Sequence, residues 1–105
     1  MAPQQNAMPL FERMRLVIVL TEVNSRHLRG ESRRAGAEIE LACALASEKR
    51  DGVSNDGTRD IAQLHARLRD AERELRSIEF ERAQLEGELA NLDATISDSQ
   101  HGSWQ

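Results

Sequence analysis

The chain has 105 residues, 30% of them charged and 3% aromatic, and its formal net charge is −4. A chain of this length forms one small domain, and its acidic balance argues against a general affinity for nucleic acid or anionic membranes. The longest apolar run, Leu16 to Leu20, is shorter than the ~20 residues of a membrane span and the ~7 to 15 of a secretory signal. Cys43 is the single cysteine, so no internal disulfide can form, and we expect a cytoplasmic protein.

Turn-forming residues divide the chain into two predicted helices. Pro9 suits the first turn of a helix, where its missing N–H costs no hydrogen bond. The segment Asp51 to Thr58 is dense in Asp, Gly, Ser and Asn and predicts the turn, with Thr58 or Asp56 as the cap of the second helix. The predicted division is a disordered N-terminus (1–8), helix one (9–50), the turn (51–58), helix two (59–97) and a flexible tail (98–105) in which Trp104 could be a docking motif.

Helix one carries two apolar stripes on opposite sides. We predict that the first stripe is the core, with Phe11 and Ile18 at its edge; it consists of Leu10, Met14, Val17, Thr21, Leu28, Ala35, Ile39, Ala42 and Leu45. Gly30 and Gly36 each cost about 1 kcal/mol relative to alanine in a helix, which leaves a break between them open. The second stripe is predicted to bind a partner helix and consists of Leu16, Val19, Leu20 and Val23.

Helix two has the more regular pattern, an apolar seven-residue repeat from Ile61 to Ile96. Such a stripe requires a partner helix, because one helix alone leaves it in water. Arg82 interrupts the repeat; it either sets the register or lays its stem along the seam with its head group in water, and we favour the second interpretation. The seam positions are Ile61, Leu64, Leu68, Ala71, Leu75, Ile78, Arg82, Leu85, Leu89, Leu92 and Ile96.

Charge patterning indicates how helix two is paired. In a parallel homodimer, one of the four contacts between flanking charges attracts and three repel. If the chain instead folds back at the turn, residue i faces roughly residue 110 − i, and the arginine-rich parts of each helix meet acidic parts of the other. We therefore predict an all-α fold, an antiparallel two-helix coiled-coil hairpin. Because one seam is a marginal core, we expect a dimer, a four-helix bundle or a helical protein partner to complete it.

Two further surfaces are candidates for binding. On the outer side of helix two, Phe80 lies where water is expected, next to small residues that allow close helix approach; this partner-binding set is Phe80, Ala83, Gly87 and Ala90. A basic cluster beside His27 is a possible contact for an anionic partner and consists of Arg26, Arg29, Arg33 and Arg34. No aromatic residue lies within that cluster to stack on bases, so nucleic-acid binding is the weaker reading.

No residue set predicts catalysis, a metal or a cofactor. The three histidines and Cys43 lack metal-ligand spacing, and the carboxylates repeat along the helices without forming a catalytic pair. We therefore expect a non-enzymatic interaction module that acts as an adaptor or structural component of a larger assembly. The alternatives are a small helical chaperone or regulator and, more weakly, a nucleic-acid accessory factor.

The layout itself has known counterparts. Two long arms joined by a short turn, with acidic and arginine-rich faces, are similar to the coiled-coil stalk proteins of flagellar and type III export machines and to the helical arms of prefoldin-type chaperones. The turn lacks the strands that a prefoldin adds. This likeness implies a helical hairpin that binds other proteins, and it assigns no site residue.

Overall fold

Two helices make up nearly all of the chain. The computed structural model describes residues 2–102, and the side chains of residues 7–99. Helix α1 spans Ala2–Asp51 and helix α2 spans Asn55–Gly102, with no strand in this part of the chain. The predicted all-α antiparallel two-helix hairpin is confirmed.

The helices extend beyond their predicted bounds. Helix α1 begins at Ala2, before Pro9, and α2 continues to Gly102. The residues between Pro3 and Pro9 are mostly good helix formers, and they lengthen an existing helix without a new nucleus, although Pro9 has no N–H to donate. Met1 and residues 103–105, which include the proposed docking residue Trp104, lie outside the described residues.

The turn is shorter than predicted and its cap is a different residue. Gly52 has φ +88° and its N–H donates to the Glu48 carbonyl at 2.9 Å, which ends α1 in a left-handed conformation that favours glycine. Ser54 caps α2: its Oγ accepts from the Gly57 N–H, and its carbonyl accepts from the Thr58 N–H, both at 2.9 Å. The predicted caps Thr58 and Asp56 therefore lie inside the helix, where Asp56 faces the positive end of the helix dipole.

The chain forms two compact units. The turn unit is Arg26–Ile78, and the terminal unit combines Met1–Ser25 with Glu79–Gln105. Both contain antiparallel helices. In the turn unit, ion pairs join Arg33 to Glu74 at 2.6 Å and Glu40 to Arg67 at 3.0 Å. In the terminal unit, Arg13 pairs with Asp93 at 2.7 Å.

In the turn unit, two large residues of α2 pack beside a glycine of α1. Leu75 and Ile78 are buried, and a Cβ placed on the buried Gly30 would lie 3.2 Å from Leu75 Cδ1 and 3.6 Å from Ile78 Cδ1. Since α1 is continuous here, the helix does not break between Gly30 and Gly36. Gly30 instead lets the helices approach closely. The other buried residues of α1 in this unit are His27, Ala37 and Leu41.

In the terminal unit, α1 contributes the large buried residues. Leu16 is 2% exposed and Val23 is fully buried, while Val19 and Leu20 are partly buried. Opposite them, α2 presents partly buried seam residues: Leu85, Leu89, Leu92 and Ile96. The stripe predicted to bind a partner is therefore the seam of the hairpin.

The predicted core of α1 is wrong, because its residues are exposed: Leu10, Met14, Val17, Thr21, Leu28, Ala35, Ile39, Ala42 and Leu45. The buried residues of α1 include a set that recurs every seven residues through Gly30 and Ala37. Because these two residues are small, a prediction based on hydrophobicity gives them little weight as core positions. At Gly30 the missing side chain leaves space that Leu75 and Ile78 of α2 fill. The seam of α2 was predicted correctly, since every position from Ile61 to Ile96 in its seven-residue frame is buried or partly buried.

Candidate partner-binding surface

The most exposed apolar surface of the terminal unit lies on α1, on the side away from the seam. Its residues recur at spacings of four, three and one, so they share one side of the helix. Four of the five are more than half exposed: Leu10 by 55%, Phe11 by 64%, Met14 by 59% and Ile18 by 62%. We call this surface the outer patch, and it consists of Leu10, Phe11, Met14, Val17 and Ile18.

Ion pairs within the molecule flank the outer patch. Arg15 holds Glu12 in a two-pronged contact, with Nε 3.1 Å from Oε2 and an Nη 2.6 Å from Oε1. The hydrogen bond from Arg15 lowers the pKa of the Glu12 carboxyl, and Glu12 in turn raises the pKa of Arg15, with a smaller contribution from the charge of Glu88. Arg13 pairs with Asp93 across the seam. The patch is thus an apolar strip with a charged rim, an arrangement typical of interaction surfaces.

The structure places the stripe predicted to bind a partner in the seam, on the opposite side of α1 from the outer patch. Leu16, Val19, Leu20 and Val23 are held against α2, so a partner could reach them only by opening the seam. The signal that identifies the outer patch was present in the sequence. From Leu16 and Val23 the strict seven-residue frame continues through Gly30 and Ala37, and it matches the strict frame of α2. The stripe with looser spacing and larger apolar residues is the one exposed to solvent.

The outer side of α2 in the terminal unit is accessible as predicted. Phe80, Ala83, Gly87 and Ala90 are exposed, and a Cβ placed on Gly87 would meet no atom within 4 Å. Phe80 is the large apolar side chain of the four. Their role in partner binding stays a prediction.

Arg82 lies in the seam frame of the terminal unit with its side chain one-third exposed. Its Nε lies 3.7 Å from Glu86 Oε1 on the next turn of α2. The stem therefore lies along the seam while the charged head reaches an exposed carboxylate. This geometry agrees with the favoured interpretation that Arg82 extends its head group toward water.

Acidic partners already hold part of the predicted basic cluster. Arg33 pairs with Glu74 at 2.6 Å, and Arg34 pairs with Glu38 at 2.5 Å one turn further along α1. Arg26 is partly buried and Arg29 is exposed. An anion that bound here would have to compete with carboxylates for the guanidinium groups of Arg33 and Arg34, which disfavours nucleic-acid binding.

A groove between the helices of the turn unit has a volume of about 400 Å³. Small residues and two ion pairs line it, because Gly36, Ala37 and Ala71 leave space between the Arg33–Glu74 and Arg67–Glu40 pairs. The groove is open to solvent and contains no buried unpaired polar group that would point to a ligand.

Reactive side chains in the described part of the chain do not gather into a site. His27 is buried and its Nδ1 lies 3.2 Å from Glu31 Oε1, while Cys43 is exposed as a free thiol. Among the described residues, no group of His, Cys, Asp or Glu is placed to hold a metal ion. Neither helix, over the same residues, contains a stretch long and apolar enough to span a membrane.

Comparison with known proteins adds no relative. No family model, curated protein or solved structure matches the chain.

Proposed function

We propose that this chain is a non-enzymatic protein–protein interaction module, an adaptor or structural component of a larger assembly, which binds a partner helix through the outer patch. The observation that carries the proposal is that α1 is apolar on two opposite sides in the terminal unit. One side, with Leu16 and Val23, packs on α2, and the other presents Phe11, Met14 and Ile18 to solvent.

The energetics favour a partner for that second side. A contiguous exposed apolar strip with a polar rim is typical of a surface that binds another protein. Burial of a large apolar side chain stabilises a complex by about 1.5–3 kcal/mol, and the outer patch offers five such side chains in a row. Its rim carries both signs of charge, in the Arg13–Asp93 and Arg15–Glu12 pairs.

A test compares two double variants of the tagged, full-length chain. Met14→Glu with Ile18→Glu places two charges in the outer patch, at positions too exposed to disturb the seam. Gln63→Glu with Ser77→Glu adds the same charge at exposed positions of the turn unit and serves as the control. Circular dichroism should show equal helicity for the wild type and both variants.

The readout is affinity capture from the source cells under native conditions, followed by quantitative mass spectrometry. We expect proteins in fixed stoichiometry with the wild type and the control, and their loss from the outer-patch variant. An identical set of captured proteins on all three chains would contradict the proposal.

A chaperone or regulator is the second candidate, favoured by the methionines of this region. Met8 is 71% exposed, next to the outer patch, and Met14 lies within it. Methionine is flexible and polarizable, and it is common at surfaces that accept several partners. A complex that is absent from the finished assembly would favour this candidate, whereas a complex that persists there would favour the adaptor.

A further inference from the structure

The two units differ in net charge. The terminal unit, residues 1–25 and 79–105, contains eight acidic side chains and three arginines, for a formal net charge of −5. The turn unit, residues 26–78, contains ten acidic and eleven basic side chains, for a formal net charge of +1. The negative charge of the chain is therefore concentrated in the unit that carries the outer patch.

The few positive charges of the terminal unit are already held by carboxylates. Each of its three arginines has an acidic partner within the same unit: Arg13 with Asp93 at 2.7 Å, Arg15 with Glu12 at 2.6 Å and Arg82 with Glu86 at 3.7 Å. An acidic partner would have to displace one of these carboxylates to gain an ion pair. A basic partner meets a surplus of carboxylates and displaces nothing.

One flank of the outer patch carries carboxylates from both helices. Glu22 is exposed and lies seven residues after Arg15, close to two helical turns, so the two residues share this flank of α1. Glu88 of α2 is exposed and acts on the same flank: after the hydrogen bond to Glu12, the charge of Glu88 also raises the pKa of Arg15. This flank is therefore net negative.

The other flank is net negative for a similar reason. Arg13 meets Asp93 of α2 there. Glu86 is exposed and lies seven residues before Asp93, so the two carboxylates share one side of α2. The apolar strip thus runs between two acidic borders.

Resting on the proposed function, we infer that the outer patch binds a basic amphipathic helix of another protein. The apolar side of that helix packs on Phe11, Met14 and Ile18, and its lysines or arginines lie near Glu22 and Glu88. Apolar burial provides most of the affinity of such a complex, and the opposite charges speed its formation and select the partner.

The charge of the terminal unit disfavours other occupants. Two copies joined through their outer patches would bring together two units that each carry a net charge of −5. Anionic lipids and nucleic acids carry the same sign and are repelled. A basic protein segment is the occupant for which the apolar strip and its borders are both attractive.

The experiment uses a designed peptide of about 18 residues, longer than the ~12–15 residues at which an isolated helix is marginal. Its helix carries leucines on one side and lysines on the other. Two companion peptides change one feature each: glutamate replaces every lysine in the first, and alanine replaces every leucine in the second. Fluorescence anisotropy of the labelled peptides measures their binding to the full-length chain.

The peptides separate charge from apolar contact. We expect the leucine–lysine peptide to bind the wild type more tightly than either companion, by on the order of tenfold. Its binding should weaken when salt is raised from about 0.1 M to about 1 M, because the screening length falls from ~10 Å to ~3 Å. Equal binding of the lysine and glutamate peptides would overturn the basic helix as the occupant.

A first variant assigns the binding to the outer patch. Met14→Glu with Ile18→Glu makes the terminal unit more acidic but removes apolar contacts at exposed positions. We expect it to lose the leucine–lysine peptide, whereas the Gln63→Glu/Ser77→Glu control should bind as the wild type does. Binding that is unchanged or stronger in the outer-patch variant would show an attraction by charge alone and would overturn the inference.

A second variant tests the acidic border. Glu22→Gln with Glu88→Gln removes two charges while keeping the side-chain shape, and it should weaken binding of the leucine–lysine peptide about three- to tenfold. Glu48→Gln with Asp60→Asn removes the same charge from the turn unit and should have no effect. Equal effects of the two double variants would contradict a role for the border.

Other outcomes separate this inference from the proposed function. If Met14→Glu/Ile18→Glu loses captured proteins but the lysine peptide has no advantage, the interaction module stands and its partner is not basic. A dimer of the wild type in sedimentation that this variant converts to a monomer would overturn the inference in favour of a second copy. Patch-dependent sedimentation with vesicles of phosphatidylglycerol and phosphatidylcholine would overturn both in favour of a lipid surface.

Discussion

The turn unit and the terminal unit join the same two helices in different ways. In the turn unit both helices contribute bulky buried residues, Leu75 and Ile78 from α2 and Leu41 from α1, and α1 carries the small Gly30 beside Leu75 and Ile78. In the terminal unit the bulky buried residues come from α1, where Leu16 and Val23 are the most buried residues and the facing residues of α2 are only partly buried.

Their outer surfaces differ as well. Large exposed apolar residues are concentrated in the terminal unit, as five consecutive members of one side of α1 together with Met8 and Phe80. In the turn unit they are scattered, for example at Leu28 and Ile39. The difference teaches that the more apolar side of α1 is not the side that packs on α2.

The largest effect is expected when a leucine on each side of α1 is truncated within the turn unit. Leu41 is 8% exposed and Leu28 is 66% exposed. We expect Leu41→Ala to lower the free energy of unfolding by about 2–5 kcal/mol, and Leu28→Ala to change it by less than about 0.5 kcal/mol. Urea denaturation followed by circular dichroism measures both, and equal losses would mean that the seam side of α1 is assigned wrongly.

The small residues of the turn unit can be tested next. Gly30→Leu should cost about 1–3 kcal/mol, because the side chain would enter space that Leu75 and Ile78 already fill. Gly36→Ala is the matched control, since its added methyl meets no atom within 4 Å; we expect it to stabilise the fold by about 0.5–1 kcal/mol through helix propensity. Thermal denaturation of both variants checks the signs, and two changes of the same sign would remove the distinction between these glycines.

A smaller effect is expected where the turn unit closes. Ser54→Ala removes the oxygen that accepts from the Gly57 N–H and should cost about 1 kcal/mol. Ser32→Ala, at an exposed position inside α1, is the control and should be neutral within a few tenths of a kcal/mol. Hydrogen exchange should show faster opening at the start of α2 and no change in the terminal unit; protection lost equally in both units would show that they do not open independently.

The smallest effect concerns the rim of the terminal unit. Because the hydrogen bond from Arg15 lowers the pKa of Glu12 in the folded chain, its stabilising contribution is present above the unfolded pKa and is lost as the pH falls through the folded pKa. Arg15→Gln should move the pKa of Glu12 upward, which an NMR titration of its side-chain carbonyl measures. An unchanged titration would show that the contact is not formed in solution, and the Arg13→Gln variant serves as the control.

Sequence reasoning placed α2 and the turn well for physical reasons. Most seam positions of α2 are large apolar residues in a strict seven-residue frame, and α2 has no competing apolar stripe of similar size on its other sides. Gly52 and Ser54 lie within the predicted turn, although Ser54 was not predicted as the cap because Thr58 and Asp56 are equally good capping types.

The charge argument for the antiparallel arrangement was also sound, because the pairs between helices join opposite signs. Arg33 meets Glu74 and Arg67 meets Glu40, each within a few residues of the expected partner position. For the candidate binding surface, the sequence did not predict which side of α1 is exposed. The residue types and the region of α1 were recognised, but Leu16 and Val23 were assigned to the surface and Met14 and Val17 to the core.

The amino-acid sequence by itself determined the two helices, the turn between them, the buried side of α2 and the antiparallel pairing, since propensity, periodicity and charge sign are properties of each segment. Only the tertiary structure decided which side of α1 is buried. That choice depends on how closely α1 approaches α2 at Gly30, and on how much space Leu75 and Ile78 require there. How well the seam sides of α1 and α2 fit depends on both helices together. This fit outweighs the greater hydrophobicity of the stripe that α1 leaves exposed.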